Sequence, residues 1–143
     1  MELSPEANWI LTNVGLPRRI ERLFAAAAPT TLEIPGWPGR YCRIGTEPLE
    51  WSKAEFFVEI ESGEVVYLLP TDKGQDRFVN SSLALFVESL YLEAVERARW
   101  SSSDEDEITR LARGLRERLQ RLDPRAFEDP DNYWAVIFED VQE

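Results

Sequence analysis

Glu55-Phe56-Phe57-Val58-Glu59-Ile60-Glu61-Ser62-Gly63-Glu64-Val65-Val66-Tyr67-Leu68-Leu69 carries the clearest β signal in the chain. Two runs rich in β-branched and aromatic residues flank a Ser-Gly pair, the pattern of antiparallel strands joined by a tight turn. With Ser62-Gly63 as a two-residue loop, Ile60 pairs with Val65, Val58 with Tyr67 and Phe56 with Leu69, and Glu61 stands opposite Glu64. The six apolar residues then share one face, the expected core side. The other face carries Phe57, Glu59, Glu61, Glu64, Val66 and Leu68, acidic near the turn and apolar away from it. Side chains alternate along a strand, so a one-residue slip would exchange the two sets.

Beyond the loop Thr71–Gln75, Arg77-Phe78-Val79 leads into Asn80-Ser81-Ser82, three successive N-cap candidates. Leu83, Phe86, Val87, Leu90, Tyr91, Ala94 and Ala98 follow with the spacing of a buried helical stripe. Ser101 to Ser103 interrupts the pattern. A second helix is predicted from about Asp104 to Leu122, with Ile108, Leu111, Ala112, Leu115, Leu119 and Leu122 on one face. Its Asp-Glu-Asp-Glu first turn and arginine-rich remainder suit the helix dipole. Asp129-Pro130 opens a last short helix bearing Tyr133, Trp134, Ile137, Phe138 and Val141. Toward the N-terminus, Ser4 and Pro5 start a short helix that Gly15 stops. Pro17 to Ala28 reads as another short helix, with Ile20, Leu23 and Phe24 on one face and Pro29 ending it. Pro35, Gly36, Pro38 and Gly39 make an irregular segment around Trp37, and Tyr41 to Ile44 a short strand. The pattern is that of an α+β fold, with residues 1–143 as a single domain.

The composition restricts the chemistry. At 43% hydrophobic and 11% aromatic residues the chain can build a packed core. It contains no histidine, which removes Ser-His-Asp and Cys-His nucleophiles and every histidine zinc site. Cys42, the single cysteine, can form neither an internal disulfide nor a cysteine-only metal site. Carboxylate chemistry stays formally open, but no pair of acids is visibly brought together. The expectation is a non-enzymatic protein without cofactor or metal. Met-Glu-Leu-Ser-Pro-Glu lacks the marks of a secretory signal, and Leu23–Ala28, the longest apolar run, is too short to cross a bilayer. A reducing cytoplasm is the expected compartment. The formal charge is −11, neutral over residues 1–40 and increasingly negative beyond. Such a field opposes nucleic acid and anionic lipid and favours basic proteins, although on charge alone simple solubility is the preferred account.

The candidate contact residues are Glu59, Glu61 and Glu64 around the turn, Glu55, Asp72 and Asp76 from neighbouring segments, and Trp37 and Trp51 in the irregular stretches. Like charges facing one another near a turn are mildly unfavourable, and basic groups of a partner would offset this; screening by water and salt would do so too. Trp37 and Trp51 are either interface anchors or lids over the edge of the core. Trp100 and Trp134 belong to packing, and Cys42 reads as a small buried hydrophobe. Asp104 to Glu107 point around a helix and cannot converge on one cation. Asn80, Ser81 and Ser82 are better explained by capping than as an active-site cluster.

Arg77-Phe78-Val79-Asn80-Ser81-Ser82-Leu83, opening a helix with Phe86 and Leu90 in step, resembles the fourth SUKH family of bacterial immunity proteins. Gly15-Leu16-Pro17 with Phe24, Tyr41-Cys42-Arg43-Ile44-Gly45, the strand pair around Ser62-Gly63-Glu64-Val65-Val66, and the tail Asp123-Pro124 through Asp131-Asn132-Tyr133-Trp134 to Glu139 are similar to that family in the same order. The stretch Thr46–Ala54, with Trp51, departs from its small, glycine-rich pattern and leaves the shape of this loop open. The resemblance implies a twisted, mainly antiparallel sheet packed with helices. It also implies an immunity protein, encoded beside a polymorphic or contact-dependent toxin, that binds and neutralises the toxin by non-covalent occlusion. Such toxins are often nucleases or nucleic-acid deaminases. The same superfamily fold serves scaffold and signalling proteins, so a general protein-interaction or regulatory module is the alternative.

Overall fold

The computed structural model describes residues 3–20, 22–69, 76–100 and 104–141. Ser4 caps helix α1 (Pro5–Trp9), its hydroxyl accepting from the Ala7 N–H at 3.1 Å. A π turn (Ile10–Val14) follows and ends at Gly15, whose φ of 79° suits a residue without a side chain.

The helix expected over 17–28 is instead a hairpin, β1 (Arg19–Ile20) and β2 (Phe24–Leu32). Ile20 and Phe24 are cross-strand partners. A tight turn thus puts residues four apart on one face and imitates helical spacing. Alanine favours helix, but Ala25 and Ala26 are taken up by pairing with Thr46 and Gly45 of β3 (Tyr41–Thr46), and tertiary pairing overrides propensity. Pro29 falls in the irregularity between Ala26 and Thr30, where the ladder needs no N–H. Gly45 makes the arrangement possible. A Cβ there would lie 2.3 Å from the Phe24 ring and 2.7 Å from the Ala25 carbonyl oxygen.

Strands β4 (Glu55–Glu59), β5 (Val65–Leu68) and β6 (Arg77–Asn80) complete a six-stranded sheet in chain order, antiparallel throughout. The turn between β4 and β5 is longer than the two-residue loop expected. Glu59, not Glu61, closes it, donating its N–H to the Glu64 carbonyl at 2.8 Å and accepting from the Gly63 N–H at 2.7 Å. Val58 therefore pairs with Val65 and Phe56 with Tyr67. Relative to the expected register, each β4 residue meets a partner two residues away, an even displacement that preserves the faces. Phe56, Val58, Val65 and Tyr67 accordingly still belong to the main core.

Helices α2 (Leu83–Arg97), α3 (Glu105–Leu122) and α4 (Tyr133–Ile137) close that core. Phe24, Phe56 and Phe86 meet ring to ring at 5.3–5.5 Å between centroids, and Leu90, Leu115, Leu119 and Trp134 are wholly buried around them. Two members of the expected α2 stripe stand outside: Tyr91 and Ala98 are exposed, Ala98 because the chain has passed into a 3-10 turn (Ala98–Trp100). The interruption expected at Ser101–Ser103 and the loop at Thr71–Gln75 lie outside the described residues. Asp104 caps α3 through the Glu107 N–H at 2.8 Å. The last helix starts at Tyr133, after Asn132 rather than at Asp129-Pro130. Trp100, Trp134 and Cys42 are buried as expected, and burial pushes the Cys42 thiol up.

Of the three cap candidates, Ser82 does the capping, accepting from the Leu85 N–H at 3.2 Å. Asn80 and Ser81 turn instead to Asp123, at the end of α3. The Asp123 carboxylate accepts from Asn80 Nδ2 at 2.9 Å, and from the Ser81 N–H and hydroxyl at 2.8 Å each. Trp134 Nε1 donates to Asn80 Oδ1 at 2.9 Å. This buried polar junction ties β6, α3 and α4 together. Among the described residues, no helix is long and apolar enough to cross a membrane.

Candidate partner-binding face

Residues of opposite parity to the core set project from the other side of β4 and β5. At the apolar end, Phe57 and Leu68 are buried beneath Ile34 and Tyr41, with Leu32, Trp37 and Val66 packed alongside. The irregular segment 33–40 thus forms a cover over a second, smaller core. Trp37 is its half-buried lid, and its indole Nε1 is buried without a hydrogen-bond partner. An open cleft of about 530 Å³ lies beside it, lined by Glu33, Pro35, Trp37 and Arg40.

The expected acidic residues other than Asp72 are spread along this side of the sheet. Glu59 and Glu64 are adjacent across the turn, Glu61 stands at its tip, and Glu55 lies at the far end of β4 on the same face. Asp76, exposed just before β6, joins them. Burial pushes the Tyr41 hydroxyl above its ordinary pKa, and the charges of Glu59, Asp76 and Glu61 raise it further. Asp72 lies outside the described residues. Trp51 sits apart in the 47–54 loop and is 75% exposed. That loop is organised by Glu47, which accepts from the Ser52 hydroxyl at 2.6 Å and the Tyr67 hydroxyl at 2.8 Å.

Three arginines that the sequence did not single out hold this acidic face. Arg40 pairs with Glu61 at 3.0 Å, Arg43 with Glu55 at 3.2 Å and Arg125 with Glu64 at 3.0 Å. Hydrogen bonding to Arg40 lowers the Glu61 carboxyl below its usual range. Arg125 also stacks on the Phe78 ring, 4.7 Å from its centroid. Glu59 accepts from the Ser62 hydroxyl instead. The face is therefore a frame of ion pairs around an aromatic cover rather than a bare acidic patch. No local signal marks these arginines, because each comes from a different segment and meets its partner only through the fold.

No histidine is available to any part of this face. Among the described residues, no group of three or more cysteine, aspartate or glutamate side chains is gathered to hold a metal ion. What the face offers is area, charge and aromatic surface, the attributes of recognition. No curated protein and no solved structure matches the chain. A family model, that of the SUKH-4 immunity proteins, matches residues 1–140. The match takes in every strand and helix from α1 to α4, including both ends of the Asn80–Asp123–Trp134 junction. The chain belongs to the SUKH-4 immunity protein family.

Proposed function

We propose that this immunity protein acts in the cytoplasm as one domain over residues 1–143, neutralising its cognate toxin by non-covalent occlusion, and that the outer face of β4 and β5 is its contact surface. The toxin in this reading is a nuclease or nucleic-acid deaminase with a basic surface. The observation that carries the proposal is the family match across residues 1–140. The placement of Glu55, Glu59, Glu61 and Glu64 along the side of β4 and β5 that the Trp37 segment covers, with Asp76 acting on Tyr41, supports the choice of surface.

The ion pairs fit such a role. Arg40 and Glu61 are both substantially exposed, and so is Arg125 opposite Glu64. Exposed pairs of this kind contribute little to stability, so arginines of a partner can displace them readily. Unpaired, each carboxylate would repel its neighbours; paired, the face keeps its shape until contact. Trp37 and Trp51 supply aromatic area of the kind that anchors interfaces. Occlusion needs no reacting group and no cofactor, in keeping with a chain that has no histidine.

Coexpression with a candidate cognate toxin domain tests the proposal. Survival of the cells and copurification of the two chains at equal stoichiometry are expected. Cell death despite full expression of this chain would reject it, and recovery of several unrelated partners without rescue would favour a general interaction module.

A further inference from the structure

A second cleft lies away from this face, between the β1–β2 hairpin, α2 and α4. It encloses about 430 Å³, within the range of small-ligand sites. Three arginines line it: Arg19 on β1, Arg22 in the hairpin turn and Arg97 at the end of α2. Among the described residues, the only carboxylate in its lining is Glu93, which is 1% exposed. Among the described lining residues arginines thus outnumber carboxylates three to one, in a chain of net charge −11.

Arg97 is fixed in advance. Its Nε donates to the two Glu93 oxygens at 2.8 and 2.6 Å, and its guanidinium lies over the Trp100 ring at 4.8 Å. That leaves the terminal amino groups outside the Glu93 bond, on a side chain still 41% exposed. A planar guanidinium presenting two donors suits a carboxylate or phosphate, which it can bind through parallel hydrogen bonds. Among the described lining residues, Glu93 offsets one charge, and Arg19 and Arg22 bring two more. The remaining walls are Ile20, Leu23, Ala94 and Ile137, all apolar. An inorganic ion would leave those walls in contact with water alone.

We propose that this cleft binds a small organic anion, an acidic head group on a short apolar stem, with Arg19, Arg22 and Arg97 on the head and Leu23, Ala94 and Ile137 on the stem. The site is separate from the toxin-binding reading and does not depend on it.

Titration of the full chain with hexanoate, acetate and inorganic phosphate at constant ionic strength, followed by NMR of the arginine Nε–H groups, tests this. Saturable shifts at Arg97 are expected. Hexanoate should bind more tightly than acetate, by about fourfold for each methylene fully buried. Arg19 and Arg22 are exposed, so Arg19→Gln/Arg22→Gln should fold normally and weaken hexanoate binding by about tenfold or more. Three results would overturn the proposal: no saturable shift with any of the anions, equal affinity for acetate and hexanoate, or phosphate binding more tightly than hexanoate. Undiminished hexanoate binding by the double variant would also reject the assigned head-group contacts.

Discussion

Asp123 accepts three hydrogen bonds from Asn80 and Ser81 in a site where it is 2% exposed. A carboxylate can only accept, and all three donors lose this acceptor if it is removed, Asn80 Nδ2 keeping only the 3.4 Å bond to the Ser89 hydroxyl oxygen. Asp123→Ala should destabilise the fold by about 2–4 kcal/mol, since buried donors left unsatisfied carry their full desolvation penalty. Urea denaturation measures this as a lower midpoint at an unchanged slope. Asp123→Asn retains one acceptor oxygen and should cost less. The chemistry at Asn80 and Ser81 was only half legible in the sequence. Their polarity and their place before a helix pointed to capping, and Ser82 alone fulfils it. The partner that claims the other two lies some forty residues further on, where Asp123 reads as an ordinary residue before proline. Arg40, Arg43 and Arg125 escaped notice for the same reason.

At the level of elements, the helices were the most legible part, because a period near 3.6 over many residues has no competing explanation. The start of α2 provides a check. Ser82→Ala removes the hydroxyl that accepts from the Leu85 N–H and should lower stability by about 1 kcal/mol, again read from the urea midpoint. Short segments were harder. Ile20, Leu23 and Phe24 suggested a helix face, but Ile20 and Phe24 meet across a hairpin, and over so few residues the two spacings coincide. The β4–β5 pair and its core face are legible in the sequence, while a two-residue turn is shorter than the one the chain makes. Glycine at position 63 signals a turn and does not set its length. The displacement of partners by two residues moved Glu61 from opposite Glu64 to the tip, where Arg40 reaches it. That detail changes the candidate surface more than it changes the fold.

On the scale of the whole molecule, a chain of charge −11 gathers carboxylates on one face and braces them with arginines. The same molecule places tyrosines where ionisation is opposed. Burial, the Glu47 hydrogen bond and its charge raise the Tyr67 pKa, and burial raises that of Tyr133 well above the ordinary value. The folded state therefore keeps these protons after the unfolded chain has begun to lose them near pH 10. Their contribution to stability is complete below that pH and is lost as pH rises toward the folded values. Absorbance at 295 nm should show tyrosine ionisation in native protein lagging that in urea, with the urea midpoint falling above pH 10. Family membership accounts for the immunity role, and the outer face of β4 and β5 is the contact surface proposed for it. The most direct test is the binding kinetics of Glu59→Lys/Glu61→Lys/Glu64→Lys with the cognate toxin at low and high salt. Slower association, with a weaker dependence on salt, is the expected result, because charges of opposite sign steer the encounter. Association as fast and as salt-sensitive as that of the unaltered protein would contradict the assignment of this face.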